Sequence, residues 1–289
     1  MKAPTPLTRT ALKAFPLPKL EDGDKETKGR ILVIAGSRQV PGAALLAATS
    51  AMRSGAGKLR IATAASAAAD IAIAMPEAYV ISLAEHRDGS LTRSAVRQIA
   101  DEADSATTVV AGPGMEQNKV CGAVADALLA SPAQLVLDAA LLHSLEPFDP
   151  HQRGSDAPPI LLPHAGEMAS LLDCDEEDVT ADPLRCGLRA AQLYNAYVLA
   201  KGVISHVVAP DGRAWVFRGG APGLGVSGSG DTLAGIVGGL VSRGAEPLTA
   251  LLWGVLLHGE AGEALARKVG EVGFLAREIP GEIPALLAR

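Results

Sequence analysis

Aromatic residues are almost missing from this chain: Phe, Tyr and Trp make up 3% of 289 residues, although hydrophobic residues as a whole make up 48%. A core of that size has to be filled by Ala, Val, Leu and Ile, the composition of parallel strands buried on both faces under Ala-rich helices. Cysteine is scarce as well. Cys121, Cys174 and Cys186 are odd in number and show no C-x-x-C spacing, which excludes a disulfide frame and a cysteine zinc site and fits a reducing compartment. The net charge is −6 and no cluster of Lys and Arg stands out, so nucleic acid and anionic membrane are poor partners. No uncharged apolar run approaches a membrane span, and the opening MKAPTPLTRTALKAFPLPKL lacks the apolar centre of a secretion signal; a cytoplasmic location is expected. The G-K-[ST] of a P-loop and the G-x-S-x-G of serine hydrolases do not occur, and Gly36 and Gly42 are too loosely spaced for a dinucleotide fingerprint.

What the chain has is glycine, and nine of its 31 glycines fall between Gly219 and Gly239. Within GVSGSGDTLAGIVGG, Gly228, Ser229 and Gly230 read as a tight turn feeding a helix from Thr232 to Leu240. Such a turn aims backbone N–H groups at an anion, at the positive end of the helix dipole. A carboxylate beside an anion hole suits a base that takes a proton from a hydroxyl about to attack phosphorus, which makes Asp231 the candidate base. The alternative is that Asp231 only caps its helix. The density of glycines favours the first reading, since a cap does not need them and close approach of backbone to ligand, and of helix to sheet, does.

The rest of the chain alternates. Met1 to Gly29 is a proline-punctuated lead-in with the charged run EDGDKETK and one short helix near Thr8 to Phe15. Apolar strand runs at Ile31, Lys58, Tyr79, Thr107, Leu135, Pro159 and Tyr197 are separated by helix-period segments, and SHVVAP and RAWVF form a hairpin around the Asp211-Gly212 turn. The expectation is a single doubly wound α/β domain over 29–289 with a mostly parallel sheet and helices on both faces. In such sheets ligands bind outside the carboxyl ends of the strands. Those ends carry Gly36-Ser37, Gly112-Pro113-Gly114, Asp138, His164 to Glu167 and Lys201-Gly202. Lys201 reads as a phosphate-facing cation or as a solvated surface charge; Glu167 reads as an organiser of hydrated Mg²⁺ or as a carboxylate favoured at a helix start. His258, on an apolar helix, reads as a packing histidine, and His86, His143, His151 and His206 as structural.

The ordered series AGSRQVPGAALLAATSAMRSGAGKL, AGPGM, LLPHAGEMASLL, LAKGVISHVVAPDG and GSGDTLAGIVGGLVSRG resembles the ADP- or ATP-dependent NAD(P)H-hydrate dehydratases, a branch of the ribokinase-like fold. The resemblance runs from about Lys28 to the LLHGEAGE helix. It implies a three-layer ribokinase-like domain that repairs the hydrated, redox-dead form of NADH or NADPH, with Mg²⁺ and ADP or ATP as co-substrate. It implies Asp231 as catalytic base, Gly228 and Gly230 as anion hole, and Lys201, Gly202, Val203, Ile204 and Ser205 as the nucleotide segment. Ala43, Gly114, His164 and Asp231 match positions holding the hydrated dinucleotide, and Glu167 the residue ordering Mg²⁺. The family also suggests a homotetramer and a separate NAD(P)H-hydrate epimerase as functional partner, the lead-in having no room for a fused one. The chain departs from the family pattern at Ala140, Ala165, Ala221, Ser227 and Ser229. Two alternatives share the chemistry of G-x-G-D: a ribokinase-like kinase of a small hydroxylated metabolite such as a vitamin precursor, and a silent nucleotide-binding protein.

Overall fold

The strand run ILVIAG is buried on both sides because its side chains alternate between two cores, with Ile31 and Val33 below the sheet and Leu32 and Ile34 above it. The same alternation recurs at Val109/Val110, Leu135/Val136 and Val198/Leu199. The structure, a computed structural model, describes residues 3–19, 29–148 and 153–289. The charged run of the lead-in and His151 lie outside the described residues.

Ten strands form one sheet in the order β1-β10-β9-β8-β7-β6-β5-β2-β3-β4. They are β1 (Thr5–Pro6), β2 (Arg30–Ile34), β3 (Lys58–Ala64), β4 (Ala78–Leu83), β5 (Thr108–Ala111), β6 (Gln134–Leu137), β7 (Ile160–Leu161), β8 (Tyr197–Ala200), β9 (Ser205–Val208) and β10 (Ala214–Phe217). From β4 across to β8 every pairing is parallel. Strand β9 runs against β8 and against β10, as the Asp-Gly turn requires. One face carries α1 (Gly42–Arg53), α2 (Ala65–Ala74), α8 (Ser229–Ser242), α9 (Pro247–Lys268) and α10 (Ile279–Leu287). The other carries α3 (Arg93–Asp104), α4 (Val120–Ala130), α5 (Ala165–Leu172), α6 (Glu176–Ala181) and α7 (Pro183–Leu193).

The glycines of α8 seat it in the core. A Cβ at Gly235 would lie 2.1 Å from the carbonyl oxygen of Ala47 and one at Gly239 2.4 Å from that of Ala51, so α8 and α1 pack backbone to backbone along an i, i+4 stripe. Gly238, on the adjoining face, lets the same helix lie against Val110 of β5, where a Cβ would come within 2.2 Å. Helix α8 is thereby held against the middle of the sheet, with its N-terminus at the edge where the parallel strands end.

The lead-in differs from expectation. The helix near Thr8 to Phe15 contracts to a single 3-10 turn, Ala11–Ala14, because Pro16 follows directly and Thr8 Oγ1 accepts from the Ala11 N–H instead of leaving it for a longer helix. Its described residues fold onto the chain's own core: β1 pairs with β10, Leu7 and Leu12 are buried, and Trp253 Nε1 donates to the carbonyl of Phe15 at 2.7 Å.

Candidate active site

Every parallel strand delivers its exit to one edge. After β5, Gly112 takes φ +118° and passes so close to Asp138 that a Cβ would overlap the Asp138 carbonyl oxygen at 1.7 Å. Gly114 (φ +61°) then lies over Ala43 at the start of α1, where a Cβ would meet that of Ala43 at 2.3 Å. Ala43 and Gly114, separated by 70 residues of sequence, are thus brought together beside the exit of β2.

After β6, Asp138 accepts from the N–H of Ala139, and Ala139 is held at φ +50°, a left-handed conformation for a residue with a Cβ. Strained backbone directly after a buried carboxylate fits a site whose side-chain direction matters more than local comfort. Lys201, leaving β8, reaches across β7 and donates from Nζ to Asp138 Oδ1 at 2.7 Å, with Glu167 Oε2 at 3.7 Å. Its side chain is 19% exposed, and those of Asp138 and Glu167 are 3% and 6% exposed. The surface-charge alternative for Lys201 is therefore set aside by the geometry. Burial works to lower the pKa of Lys201, but the attraction of Asp138 and Glu167 outweighs it and leaves the ammonium raised above its usual range. Burial pushes the Asp138 carboxyl up against the pull of Lys201.

His164 and Glu167 form a reciprocal cap on α5. His164 Nδ1 accepts from the N–H groups of Gly166 (3.0 Å) and Glu167 (3.4 Å), while Glu167 Oε2 accepts from the His164 N–H at 2.8 Å. Glu167 Oε1 lies 3.1 Å from His164 Nε2, and this bond raises the imidazole pKa. Burial would raise Glu167, yet the hydrogen bond from His164 and the charge of Lys201 hold its carboxyl below the usual range. The helix-start reading of Glu167 is thus realised, and the same carboxylate still borders the Lys201 cation.

Helix α8 brings the anion turn to this cluster. Gly228 (φ +88°) is its N-cap residue, and Asp231 stands in the first turn, where a carboxylate also suits the positive end of the helix. A Cβ at Gly230 would lie 3.7 Å from Lys201 Nζ and 3.9 Å from Asp138 Oδ2, so the bare Gly230 backbone faces the charged pair. Burial, reinforced by the charge of Asp138 and opposed by Lys201, pushes the Asp231 carboxyl up to about 6. A carboxyl tuned there is a base at neutral pH with more basicity than an exposed Asp.

The nucleotide-segment residues form an exposed turn after β8. Ser205 Oγ closes it by donating to the Gly202 carbonyl at 3.0 Å and accepting the Gly202 N–H at 3.3 Å. Val203 is 98% exposed at its tip. Beside it opens a cavity of about 480 Å³ walled by His164, Met168, Val179, Lys201, Ile204 and Arg218. Its size and mostly apolar wall suit a planar base next to a phosphate site. Among the described residues no group of three His, Cys, Asp or Glu could cage a metal ion. The residues present suit a hydrated Mg²⁺ held chiefly by phosphates rather than one caged by protein ligands.

The departures from the family pattern are mild in space. Ser227 is exposed and, unlike Gly228, adopts no positive φ, so its Cβ enters solvent without backbone strain. Ala140 lies in the buried 3-10 turn Ala139–Ser144. The sequence reading missed the pairing role of Asp138, visible only as an acidic residue at a strand end, and the contact of His258 with Ser229.

A doubly wound sheet with a glycine anion turn, a raised carboxyl and a paired lysine at its carboxyl edge defines a ribokinase-like α/β protein. The chain belongs to the NAD(P)H-hydrate dehydratase family, whose family model matches residues 31–285. It is 48% identical over 286 residues to the ADP-dependent (S)-NAD(P)H-hydrate dehydratase of Xanthomonas campestris, covering 98% of this chain and 96% of that protein. It is 32% identical to the bifunctional NAD(P)H-hydrate repair enzyme of Moorella thermoacetica, of which it spans 52%. The crystal structure of the ADP/ATP-dependent NAD(P)H-hydrate dehydratase from Bacillus subtilis, co-crystallised with ATP/Mg²⁺, superposes with a TM-score of 0.87 at 28% identity, covering 100% of this chain and 99% of that one. Among the described residues no helix is long and apolar enough to cross a membrane.

Proposed function

We propose that this chain restores NADH or NADPH from the (S)-epimer of the hydrated form, with ADP or ATP as co-substrate. The observation that carries the reading is the meeting of the Gly228–Gly230 turn, the Asp231 carboxyl and the Lys201 cation at one sheet edge. Ala43, Gly114 and His164 line the side on which the hydrated nicotinamide is held. Lys201 to Ser205 and the adjoining cavity receive the nucleotide.

Asp231 takes the proton of the hydrate's hydroxyl as its oxygen bonds to the terminal phosphorus. The bond from that phosphorus to the nucleotide's bridging oxygen breaks, with its electron pair leaving on the nucleotide. Amide hydrogens of the turn and the Lys201 ammonium hold the transferring phosphoryl, stabilising charge where it develops. Phosphate then departs with the C–O electron pair, the neighbouring carbon yields its proton to water, and the C–H electron pair becomes the ring double bond. Bound Mg²⁺ would neutralise phosphate charge, with Glu167 ordering its waters.

Cytoplasmic residence, a homotetramer and a separate epimerase that feeds the (S)-epimer complete the reading. Exposed Ile73 and Tyr79 near the free β4 edge offer apolar surface for self-association. The test is purified protein with the (S)-hydrate and Mg²⁺, assayed with ADP and ATP side by side. Recovery of reduced-nicotinamide absorbance, with one phosphate released per recovered molecule, supports the reading. No recovery with either nucleotide overturns it, and a phosphorylated product that accumulates points to a kinase instead.

A further inference from the structure

His258, partly buried beside the Gly228–Gly230 turn, has no place in the chemistry above. It sits in the middle of α9, four residues after Gly254 and four before Gly262, hence on one helix face. Both glycines are needed there: a Cβ at Gly254 would come within 2.5 Å of Val237 in α8, and one at Gly262 within 2.6 Å of Leu224. Their absence of side chains draws α9 onto α8 and onto the 3-10 turn Pro222–Leu224 that precedes it. The imidazole Nε2 then lies 3.1 Å from Ser229 Oγ and 3.1 Å from the Ser229 carbonyl oxygen. A carbonyl accepts only, so Nε2 carries the proton and donates. Thr232 Oγ1 donates to the same carbonyl at 2.7 Å, which holds Ser229 from two directions. Burial lowers the His258 pKa to about 4, so the ring stays neutral and this donor pattern persists through the physiological range. The single Nε2 proton is shared between the carbonyl oxygen and Oγ of Ser229, 3.1 Å from each.

We propose that His258 is a positioning residue for phosphoryl transfer: by pinning the carbonyl and hydroxyl of Ser229 it aims the Gly228–Ser229–Gly230 amides at the transferring group. The proposal rests on the dehydratase reading. The wild-type hydrate assay tests that reading alone; the comparison below is made only between variants of an active enzyme, so the two failures are distinguishable.

A Gln amide nitrogen reaches about as far as imidazole Nε2, whereas an Asn amide stops short, and the two share their chemistry. His258→Gln is expected to keep kcat within about threefold of wild type. His258→Asn is expected to lower kcat at least tenfold with a smaller change in KM for the hydrate, at melting temperatures matching those of His258→Gln. A deletion of the contact from the other side, Ser229→Ala, should leave less for His258→Asn to lose in the double variant. Equal kcat for the Gln and Asn variants, or a loss that only follows their melting temperatures, overturns the proposal.

Discussion

Lys201 Nζ and Asp138 Oδ1 lie 2.7 Å apart although they are 63 residues apart in sequence and leave strands that are not neighbours in the sheet. The lysine spans β7 to make the contact and brings Glu167 within 3.7 Å on the way. One largely shielded cation thereby serves two carboxylates, and Asp231 also feels its charge. Removing it leaves Asp138 buried with no cation beside it and Glu167 with His164 alone.

Lys201→Met is therefore expected to destabilise the fold by about 3 to 5 kcal/mol near neutral pH, the usual cost of orphaning a buried charge. Without the cation, the folded-state pKa of Asp138, already raised by burial, rises further, and Glu167 loses part of what holds its carboxyl low. The folded variant then binds protons that the unfolded chain does not, and its stability increases as pH falls. Denaturant unfolding at pH 8 and pH 5.5 should show the gap to wild type narrowing on acidification. Lys201→Met with Asp138→Asn should recover part of the loss at the higher pH.

Asp231 sets activity and stability against each other. As a base it works ionised, so kcat/KM should rise with pH through about 6, where its folded pKa lies. Its pKa is raised from 3.8 by burial, so the folded protein holds this proton more tightly than the unfolded chain does. That contribution is favourable at low pH and is lost as pH rises through about 6, leaving an ionised, desolvated carboxylate in the native state. Asp231→Asn removes the charge. It should cost about 10² to 10⁴ in kcat while raising unfolding free energy at pH 7.5 by roughly 2 kcal/mol, read by denaturant titration. A variant both inactive and less stable would count against the role given to this carboxyl.

Glu167 is expected to act on the metal through water. Glu167→Gln keeps the acceptor that caps His164 N–H but loses the charge, so the Mg²⁺ concentration for half-maximal rate should rise about tenfold or more. The capped helix α5 should persist, with helical circular dichroism unchanged.

How far the sequence discloses this arrangement depends on the kind of signal. Helix α8 and the strand ends were legible because glycine density and unbroken apolar runs report backbone approach and two-sided burial directly. Asp231, Lys201 and Glu167 could be nominated from position at strand and helix ends. Their mutual contacts could not, since the order β8-β7-β6 that lets Lys201 cross to Asp138 is a tertiary fact. Helix α6 was missed because EEDVTA has no apolar period, and α10 because Pro280, Gly281 and Pro284 argue against a helix. Packing of Ile279, Ile283 and Leu286, spaced i, i+4, i+7 and all buried, overrides that local preference. His258 looked like an ordinary core residue, and only the close approach of α9 to α8 reveals its partner.

Two glycine substitutions separate structural need from mere occurrence. Gly112 adopts φ +118°, and its missing Cβ would fall 1.7 Å from the carbonyl oxygen of Asp138, with backbone on both sides of the clash. Relief requires Asp138 to move, and with it the end of the Lys201 contact. Gly112→Ala should lose about 2 to 4 kcal/mol of stability and most of the nucleotide affinity, measured by unfolding and by titration calorimetry. Gly281, inside α10, has no heavy atom within 4 Å of its Cβ position and no positive φ. Gly281→Ala should therefore gain about 0.5 to 1 kcal/mol, as Ala gains over Gly within a helix, and leave nucleotide affinity unchanged. If Gly112→Ala were as well tolerated as Gly281→Ala, the close passage of β5's exit over Asp138 would be wrong, and with it the placement of the carboxylate that pairs with Lys201.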